Sequence, residues 1–170
     1  MPRRDDLESI MVLGSGPIKI GQAAEFDFSG SQAVRALRED GYKVILVNSN
    51  PATIQNDPEM ADVVYIEPLL PDTIAKILEK ERPCALLAGM GGQTALNIAS
   101  ELSHNGTLER LGVELIGSDL DAIDKAEDRE LFNQVCESIN LPISQAVACN
   151  SIDEVIAAAE LIGSWPILIR

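Results

Sequence analysis

Histidine and cysteine are scarce in this 170-residue chain, which contains one histidine, His104, and three cysteines, Cys84, Cys136 and Cys149. A zinc site needs three or four nitrogen and sulfur ligands, and no C-x-x-C pair is present, so the sequence predicts no metal ligands. Ser29 and Ser31 have no histidine nearby in sequence, and no nucleophile with a paired base is evident, so no catalytic residue is predicted. His104 stands in a polar segment and is predicted to face solvent. Unpaired cysteines indicate a reducing, cytoplasmic compartment, and Cys84 and Cys136 are predicted to be buried.

Basic residues are also few: 13 lysines and arginines stand against 27 acidic residues, for a net charge of −14. A protein that binds nucleic acid needs a basic surface to neutralise phosphates, so that class is excluded. No apolar run approaches the roughly 20 residues of a membrane span, and no signal peptide precedes the first strand. We therefore expect neither a nucleic-acid partner nor a membrane.

The main positive signal is a series of five short apolar runs that alternate with helical periodicity. They are residues 10–13, 43–47, 63–66, 84–88 and 113–116. Strands that are nearly all apolar, without alternation, have both faces covered, which is typical of a parallel sheet with helices on both sides. The pattern therefore predicts an α/β, Rossmann-like domain that ends near residue 125.

The pattern changes after that point. We predict a helix over 127–139, a strand over 145–148, a helix that begins after the N-cap Ser151, and a strand that begins at Pro166. The predicted buried faces are Leu131, Phe132, Val135, Cys136 and Ile139 in the first helix, and Ile152, Val155, Ile156 and Ala159 in the second. Two strands are too few to close a core, so this segment is interpreted as the beginning of a second, incomplete domain.

A glycine-rich loop, Gly14 to Gly21, follows the first strand, where dinucleotide-binding loops occur. Its spacing is G-x-G-x-x-x-x-G, and Pro17 with residues 22–30 is predicted to delay the helix. The second strand ends in Asn48-Ser49-Asn50, without the acidic residue that binds a ribose. A tight turn is therefore favoured over NAD binding.

Two further loops, residues 51–58 and 90–94, fall at the predicted carboxyl edge of the sheet. They are either ligand-binding loops or plain turns, and no G-K-[ST] motif identifies a P-loop. Residues 121–129 are dense in charge. They indicate a solvated helix face on which Asp121 pairs with Lys125, and Lys125 and Arg129 share a side; alternatively, Arg129 reaches a phosphate.

Six segments in this order resemble the amino-terminal part of the carbamoyl phosphate synthase large-subunit family, over nearly the whole chain. They are residues 14–22, 25–30, 47–53, 57–62, 90–97 and 123–129. The resemblance implies a pre-ATP-grasp domain over 1–127 and an incomplete ATP-grasp domain over 128–170. It assigns Arg129 and Arg170 as ATP-binding residues. It also places the glycine loop and residues 22–30 in the wall around the reaction centre and an internal tunnel.

The resemblance further implies what the whole enzyme does. It makes carbamoyl phosphate from bicarbonate, glutamine-derived ammonia and two ATP, through carboxyphosphate and carbamate, for arginine and pyrimidine biosynthesis. Its partner is a glutamine amidotransferase subunit or domain, and a homo-oligomer is compatible with the family. Mg²⁺ or Mn²⁺ accompanies ATP, but the metal ligands lie beyond Arg170, so these 170 residues alone are expected to be inactive. The rival interpretations are a biotin-dependent ATP-grasp carboxylase and a non-catalytic Rossmann-like binding module.

Overall fold

The computed structural model describes residues 3–16 and 23–169. The chain divides into two units, Met1–Ile123 and Asp124–Arg170. No helix in the described ranges is long and apolar enough to cross a bilayer.

The first unit is built on a five-stranded sheet in the order β3-β2-β1-β4-β5, with every neighbouring pair parallel. The strands are β1 Ser9–Leu13, β2 Lys43–Asn48, β3 Val63–Ile66, β4 Ala85–Leu87 and β5 Glu114–Ile116. Each coincides with one of the five apolar runs, which confirms the predicted parallel sheet.

Helices connect the strands of this unit and begin the second one. They are α1 Ala23–Glu39, α2 Pro71–Glu81, α3 Gly92–His104, α4 Thr107–Leu111, α5 Leu120–Glu127, α6 Arg129–Ser138 and α7 Ile152–Ile162, and Ile54–Asn56 form a short 3₁₀ turn. Pro71 is the first residue of α2, where its missing N–H costs no hydrogen bond.

Alternate residues of the strands pack on opposite faces of the sheet, and both faces are covered. On one face, Met11, Ile45 and Leu86 pack with the apolar sides of α2, α3 and α4. On the other face, Val12 and Leu46 pack with α1. These five strand side chains are fully buried, which explains why the strands are apolar without alternation.

The start of α1 differs from the prediction. Residues 22–30 were expected to delay this helix, but it begins at Ala23 and includes Gly30. Alanine and glutamate at its start favour a helix, whereas the glycine is required by packing: a Cβ on Gly30 would lie 2.8 Å from the carboxamide of Gln55. A tertiary contact therefore explains a glycine that the local pattern interprets as a helix breaker.

Two helix starts of the second unit have side-chain caps. The carboxylate of Asp128 accepts hydrogen bonds from the N–H groups of Glu130 and Leu131, at 2.8 and 2.9 Å. This cap separates α5 from α6, so Lys125 and Arg129 belong to different helices, and the single charged face predicted for them is wrong. At α7, Ser151 Oγ accepts from the N–H of Glu154 at 3.3 Å, as predicted for an N-cap.

The two helices predicted for the second unit are present as α6 and α7, but the predicted strands and buried faces are largely wrong. Residues 145–148 and the described part of the predicted final strand, 166–169, are not strands. A strand needs a neighbour for its N–H and C=O groups, and the described residues of this unit contain no strand to pair with. The predicted buried faces are mostly exposed, with Ile152 at 79% and Phe132 at 51%; Cys136 is buried as predicted, while in the first unit Cys84 is only half-buried.

Candidate functional site

The carboxyl ends of the parallel strands place three connecting segments at one edge of the sheet. Gly14–Gly16 follow β1, Asn48 ends β2 and is followed by Ser49 and Asn50, and Met90–Gly92 lead from β4 into α3. Strand β1 lies between β2 and β4. Strands β2 and β3 are added on one side of β1, and β4 and β5 are added on the other side. This is the position at which open α/β sheets bind ligands.

Asn48 fixes the loop after β1. Its side chain is fully buried, and Oδ1 accepts hydrogen bonds from the N–H groups of Gly16, at 3.0 Å, and of Asn50, at 3.4 Å. Its Nδ2 donates to Thr53 Oγ1 at 3.4 Å. Because the N–H of Gly16 is already bonded within the protein, it is not free to bind a pyrophosphate. The rest of the predicted glycine-rich loop, residues 17–21, lies outside the described residues, so the choice between a tight turn and an NAD site stays a prediction.

The two glycines before α3 are required by close packing. A Cβ on Gly91 would lie 2.5 Å from the carbonyl oxygen of Gly14 and 2.9 Å from that of Leu13. Gly92 has a φ of +64° and lies against the ring of Phe26. Both positions therefore need glycine for reasons internal to the fold, and the plain-turn interpretation of residues 90–94 accounts for them without a ligand.

Gln55 is the residue at this edge that sequence reasoning missed. Its side chain is fully buried and Nε2 donates to the carbonyl oxygen of Phe26 at 3.0 Å. Its Oε1 lies 2.9 Å from the position that a Cβ on Gly14 would occupy. Its carboxamide also lies against Gly30, so it fills the space beside both glycines. A glutamine in a polar loop carries no sequence signal of burial, because the contacts come from segments about 25 to 40 residues away in the chain.

The predicted site residues have different outcomes. Arg129 is the first residue of α6 and its side chain is exposed. Arg170 lies outside the described residues. His104 is exposed as predicted, with Nδ1 2.9 Å from the carbonyl oxygen of Ser100. Over residues 3–16 and 23–169, no group of three or more histidine, cysteine, aspartate or glutamate side chains could hold a metal ion.

The perturbed ionisable groups of the first unit lie away from the carboxyl edge. The Arg4 guanidinium lowers the pKa of Asp6 and of Glu114, the first residue of β5. A hydrogen bond from Tyr65, at 2.6 Å, lowers the pKa of Glu81 at the end of α2. The lowered pKa of each carboxylate is explained by a hydrogen-bonding partner beside it. We therefore interpret these groups as structural and not as candidates for acid–base catalysis.

A family comparison adds the decisive observation. The profile described as carbamoyl phosphate synthase preATP-grasp domain matches residues 6–125, more than half of the chain. The chain belongs to this family. The large chain of carbamoyl phosphate synthase from Synechocystis sp. is 58% identical over all 170 residues, and the match covers 16% of that protein. The N-terminal section of the large chain from Aquifex aeolicus is also 58% identical, with 30% of it covered. The chain therefore spans less than a third of the length of these relatives.

Solved structures show the same fold at low sequence identity. The biotin carboxylase domain of a single-chain bacterial carboxylase matches 95% of this chain and 36% of its own, with a TM-score of 0.63 and 14% identity. The corresponding domain of the 2-oxoglutarate carboxylase from Hydrogenobacter thermophilus, solved as a dimer with magnesium ADP, ADP and bicarbonate, gives 0.64 and 17% identity over 93% of this chain and 34% of that one. The biotin carboxylases of the rival interpretation thus share this fold. The sequence identity of 58% to a carbamoyl phosphate synthase large chain distinguishes the family of this chain from theirs.

Proposed function

We propose that the longer protein containing this chain is a carbamoyl phosphate synthase that uses bicarbonate, glutamine-derived ammonia and two ATP. The observation that carries the proposal is the 58% identity, over every residue of this chain, to the large chains of that enzyme. The product would pass through carboxyphosphate and carbamate and supply arginine and pyrimidine biosynthesis.

The first chemical step would be attack of a bicarbonate oxygen on the γ-phosphorus of ATP, which releases ADP and forms carboxyphosphate. Such a step depends on positioning the reactants and neutralising phosphate charge. In this chain Arg129 and Arg170 would bind phosphate oxygens, because a guanidinium is always charged and donates two parallel hydrogen bonds. The exposed position of Arg129 leaves its side chain accessible to a nucleotide.

The first unit would serve as a wall of the reaction chamber. Its carboxyl edge is closed by Asn48 and Gln55, so it offers a rigid surface instead of a dinucleotide site. The Mg²⁺ or Mn²⁺ that neutralises the phosphates of ATP would be bound elsewhere, since the described residues supply no ligand set for it.

The nitrogen source and the setting of the enzyme are also proposals. We propose a glutamine amidotransferase, as a subunit or a domain, as the partner that supplies ammonia, and a homo-oligomer as the assembled state. The three free cysteines support a location in the reducing cytoplasm.

The test is bicarbonate-dependent ATP hydrolysis and carbamoyl phosphate formation by the longer protein. Substitution R129A removes a charge-assisted hydrogen bond to phosphate, so we expect the KM for ATP to rise by about 10- to 100-fold. R129K should recover part of this loss. The control is R110A, because Arg110 is also an exposed helical arginine but pairs with Glu79 at 2.9 Å. An unchanged KM in R129A contradicts the assigned role, and absence of carbamoyl phosphate contradicts the proposed reaction.

Measurements on the 170-residue chain alone would distinguish part of an enzyme from a non-catalytic binding module. We expect no ATP hydrolysis by this chain, and no tight binding of NAD in a calorimetric titration with NAD, ATP and ADP. Tight NAD binding would favour the binding module, whereas ATP turnover would show that the catalytic machinery is contained in these residues.

A further inference from the structure

Gln55 contacts separate parts of the carboxyl edge from a single buried position. It lies in the 3₁₀ turn between β2 and β3, and its side chain is fully buried. Its Nε2 donates to the carbonyl oxygen of Phe26 at 3.0 Å. A Cβ on Gly30 would lie 2.8 Å from its carboxamide, and a Cβ on Gly14 would lie 2.9 Å from its Oε1. One side chain from the β2–β3 connection therefore supports both the start of the loop after β1 and the amino-terminal half of α1.

The same contacts continue to the segment before α3. The ring of Phe26 lies against Gly92, where a Cβ would be 3.3 Å from two ring carbons. A Cβ on Gly91 would lie 2.5 Å from the carbonyl oxygen of Gly14. Gln55 therefore touches the two residues, Phe26 and Gly14, against which this third segment packs. The glycines have no side chain that could move into a void, so loss of the Gln55 side chain should be relieved by a shift of the backbone.

The place of these contacts gives them a consequence for the proposed reaction, and the inference rests on that proposed function. Open α/β sheets bind ligands at the switch point beside a central strand, here β1, and the first unit would form a wall of the reaction chamber. Carboxyphosphate is a mixed anhydride. Attack of water on it returns bicarbonate and releases inorganic phosphate, so that ATP is consumed without product. A wall that excludes water prevents this loss only while its segments stay in position.

We propose that Gln55 is a positioning residue for this reaction, which holds the carboxyl edge in place so that water is kept from carboxyphosphate. Because its side chain is fully buried, it acts through Gly14 and α1 and not on the substrate. The volume of the side chain matters more than its hydrogen bond. The carbonyl oxygen of Phe26 also accepts from Ser29 Oγ at 3.2 Å, so it keeps a partner without Gln55.

The test is the number of ATP molecules consumed for each carbamoyl phosphate formed by the longer protein. This ratio does not depend on how much of a preparation is folded. Q55A removes the volume and should raise the ratio at least about twofold. Q55N keeps the amide but withdraws it by one methylene, so it should raise the ratio less, and it serves as the test if Q55A does not fold. Q55M has nearly the volume of glutamine but no amide, so it should leave the ratio close to that of the unchanged protein.

The control is L102A, which shortens a buried side chain near the end of α3, away from the carboxyl edge. It should destabilise the first unit without changing the ratio. The inference is overturned by an unchanged ratio in Q55A, or in Q55N where Q55A does not fold, and by an equal rise in L102A or Q55M. If the unchanged protein forms no carbamoyl phosphate, the proposed function itself is refuted. Normal product formation with the same ratio in the Gln55 variants refutes the positioning role alone.

Discussion

The two units of the chain bury their apolar side chains to very different extents. In Met1–Ile123, the centres of β1, β2 and β4 are fully buried between helices on both faces of the sheet. Among the described residues of Asp124–Arg170, the buried hydrophobic residues are Cys136 and Ala158, while Ile152, Leu161 and Trp165 are each 79% exposed. Both units contain amphipathic helices. In the part of the chain that the structure describes, the first unit alone contains strands and opposing helices that cover the apolar sides of its helices.

This difference shows that an amphipathic pattern predicts a helix more securely than it predicts burial. α6 and α7 form where their periodicity and caps place them, because these signals are local. Their apolar sides need partner elements, which the described residues of the second unit do not provide. We therefore expect the stability of this 170-residue chain to be concentrated in the first unit.

Amide hydrogen exchange should show the largest contrast. Amides in β1 and β2 are expected to exchange only through global unfolding, whereas those in α7 should exchange through local opening. The ratio of their protection factors should be at least about a thousandfold. Exchange measured by NMR or mass spectrometry on the 170-residue chain checks this. Equal protection in α7 and β1 would show that both units share one cooperative core.

Cavity-forming substitutions should separate the units by the free energy of unfolding. L86A removes a fully buried side chain from the central sheet and should cost about 2–5 kcal/mol. I156A shortens a side chain that is 56% exposed in α7 and should change the free energy by no more than about 0.5 kcal/mol. Denaturant titration of both variants measures the difference. Similar losses would contradict the assignment of the core to the first unit.

A pair of glycines tests the packing at the carboxyl edge. G91A would place a Cβ 2.5 Å from a backbone oxygen of Gly14, so it should cost about 1–3 kcal/mol or more. G89A is the matched control, because a Cβ there would have no atom within 4 Å. We expect G89A to leave the free energy nearly unchanged. Equal behaviour of the two variants would show that the edge can relax around Gly91.

The smallest expected effect is a pH dependence within the first unit. Glu81 is largely buried and its pKa is lowered, first by the Tyr65 hydroxyl and then by Lys43, which lies 3.4 Å away. A lowered folded-state pKa adds stability above the ordinary value of 4.5, and this contribution is lost as the pH falls through the folded-state pKa. Y65F should therefore cost about 1 kcal/mol near neutral pH and less in acid.

Y42F is the control for this prediction. Within the described residues, the partners of the Tyr42 hydroxyl are backbone groups of Arg4, at 2.8 and 3.3 Å, so its loss should not depend on carboxylate titration in this range. Chemical denaturation at several pH values between neutral and acid compares the two variants. If Y65F lowered the free energy of unfolding equally at every pH, the titration of Glu81 would not explain its effect.

The strands were predictable from sequence because each is a short, local and mostly apolar run, and those at the centre of the sheet have both faces covered. The start of α1 was not, since Gly30 is a helix breaker by local rules and becomes acceptable only beside Gln55. The predicted strand over 145–148 failed for a related reason: pairing depends on a neighbouring strand that this unit's described residues lack. Asn48 stands at the end of β2, where a ribose-binding acid is absent from the sequence, but its bond to the N–H of Gly16 is visible only in three dimensions.

The contact of Gln55 with Gly14 and Gly30 also constrains how this sequence can change over time. Side-chain volume at positions 14, 30 and 55 is shared, because a Cβ at either glycine would overlap the carboxamide of Gln55. A lineage could gain a side chain at position 30 only after position 55 had become smaller, and at position 14 only after positions 48 and 55 had both changed. The order of substitutions is thus fixed, and residues about 25 to 40 positions apart in the chain should change as a correlated set.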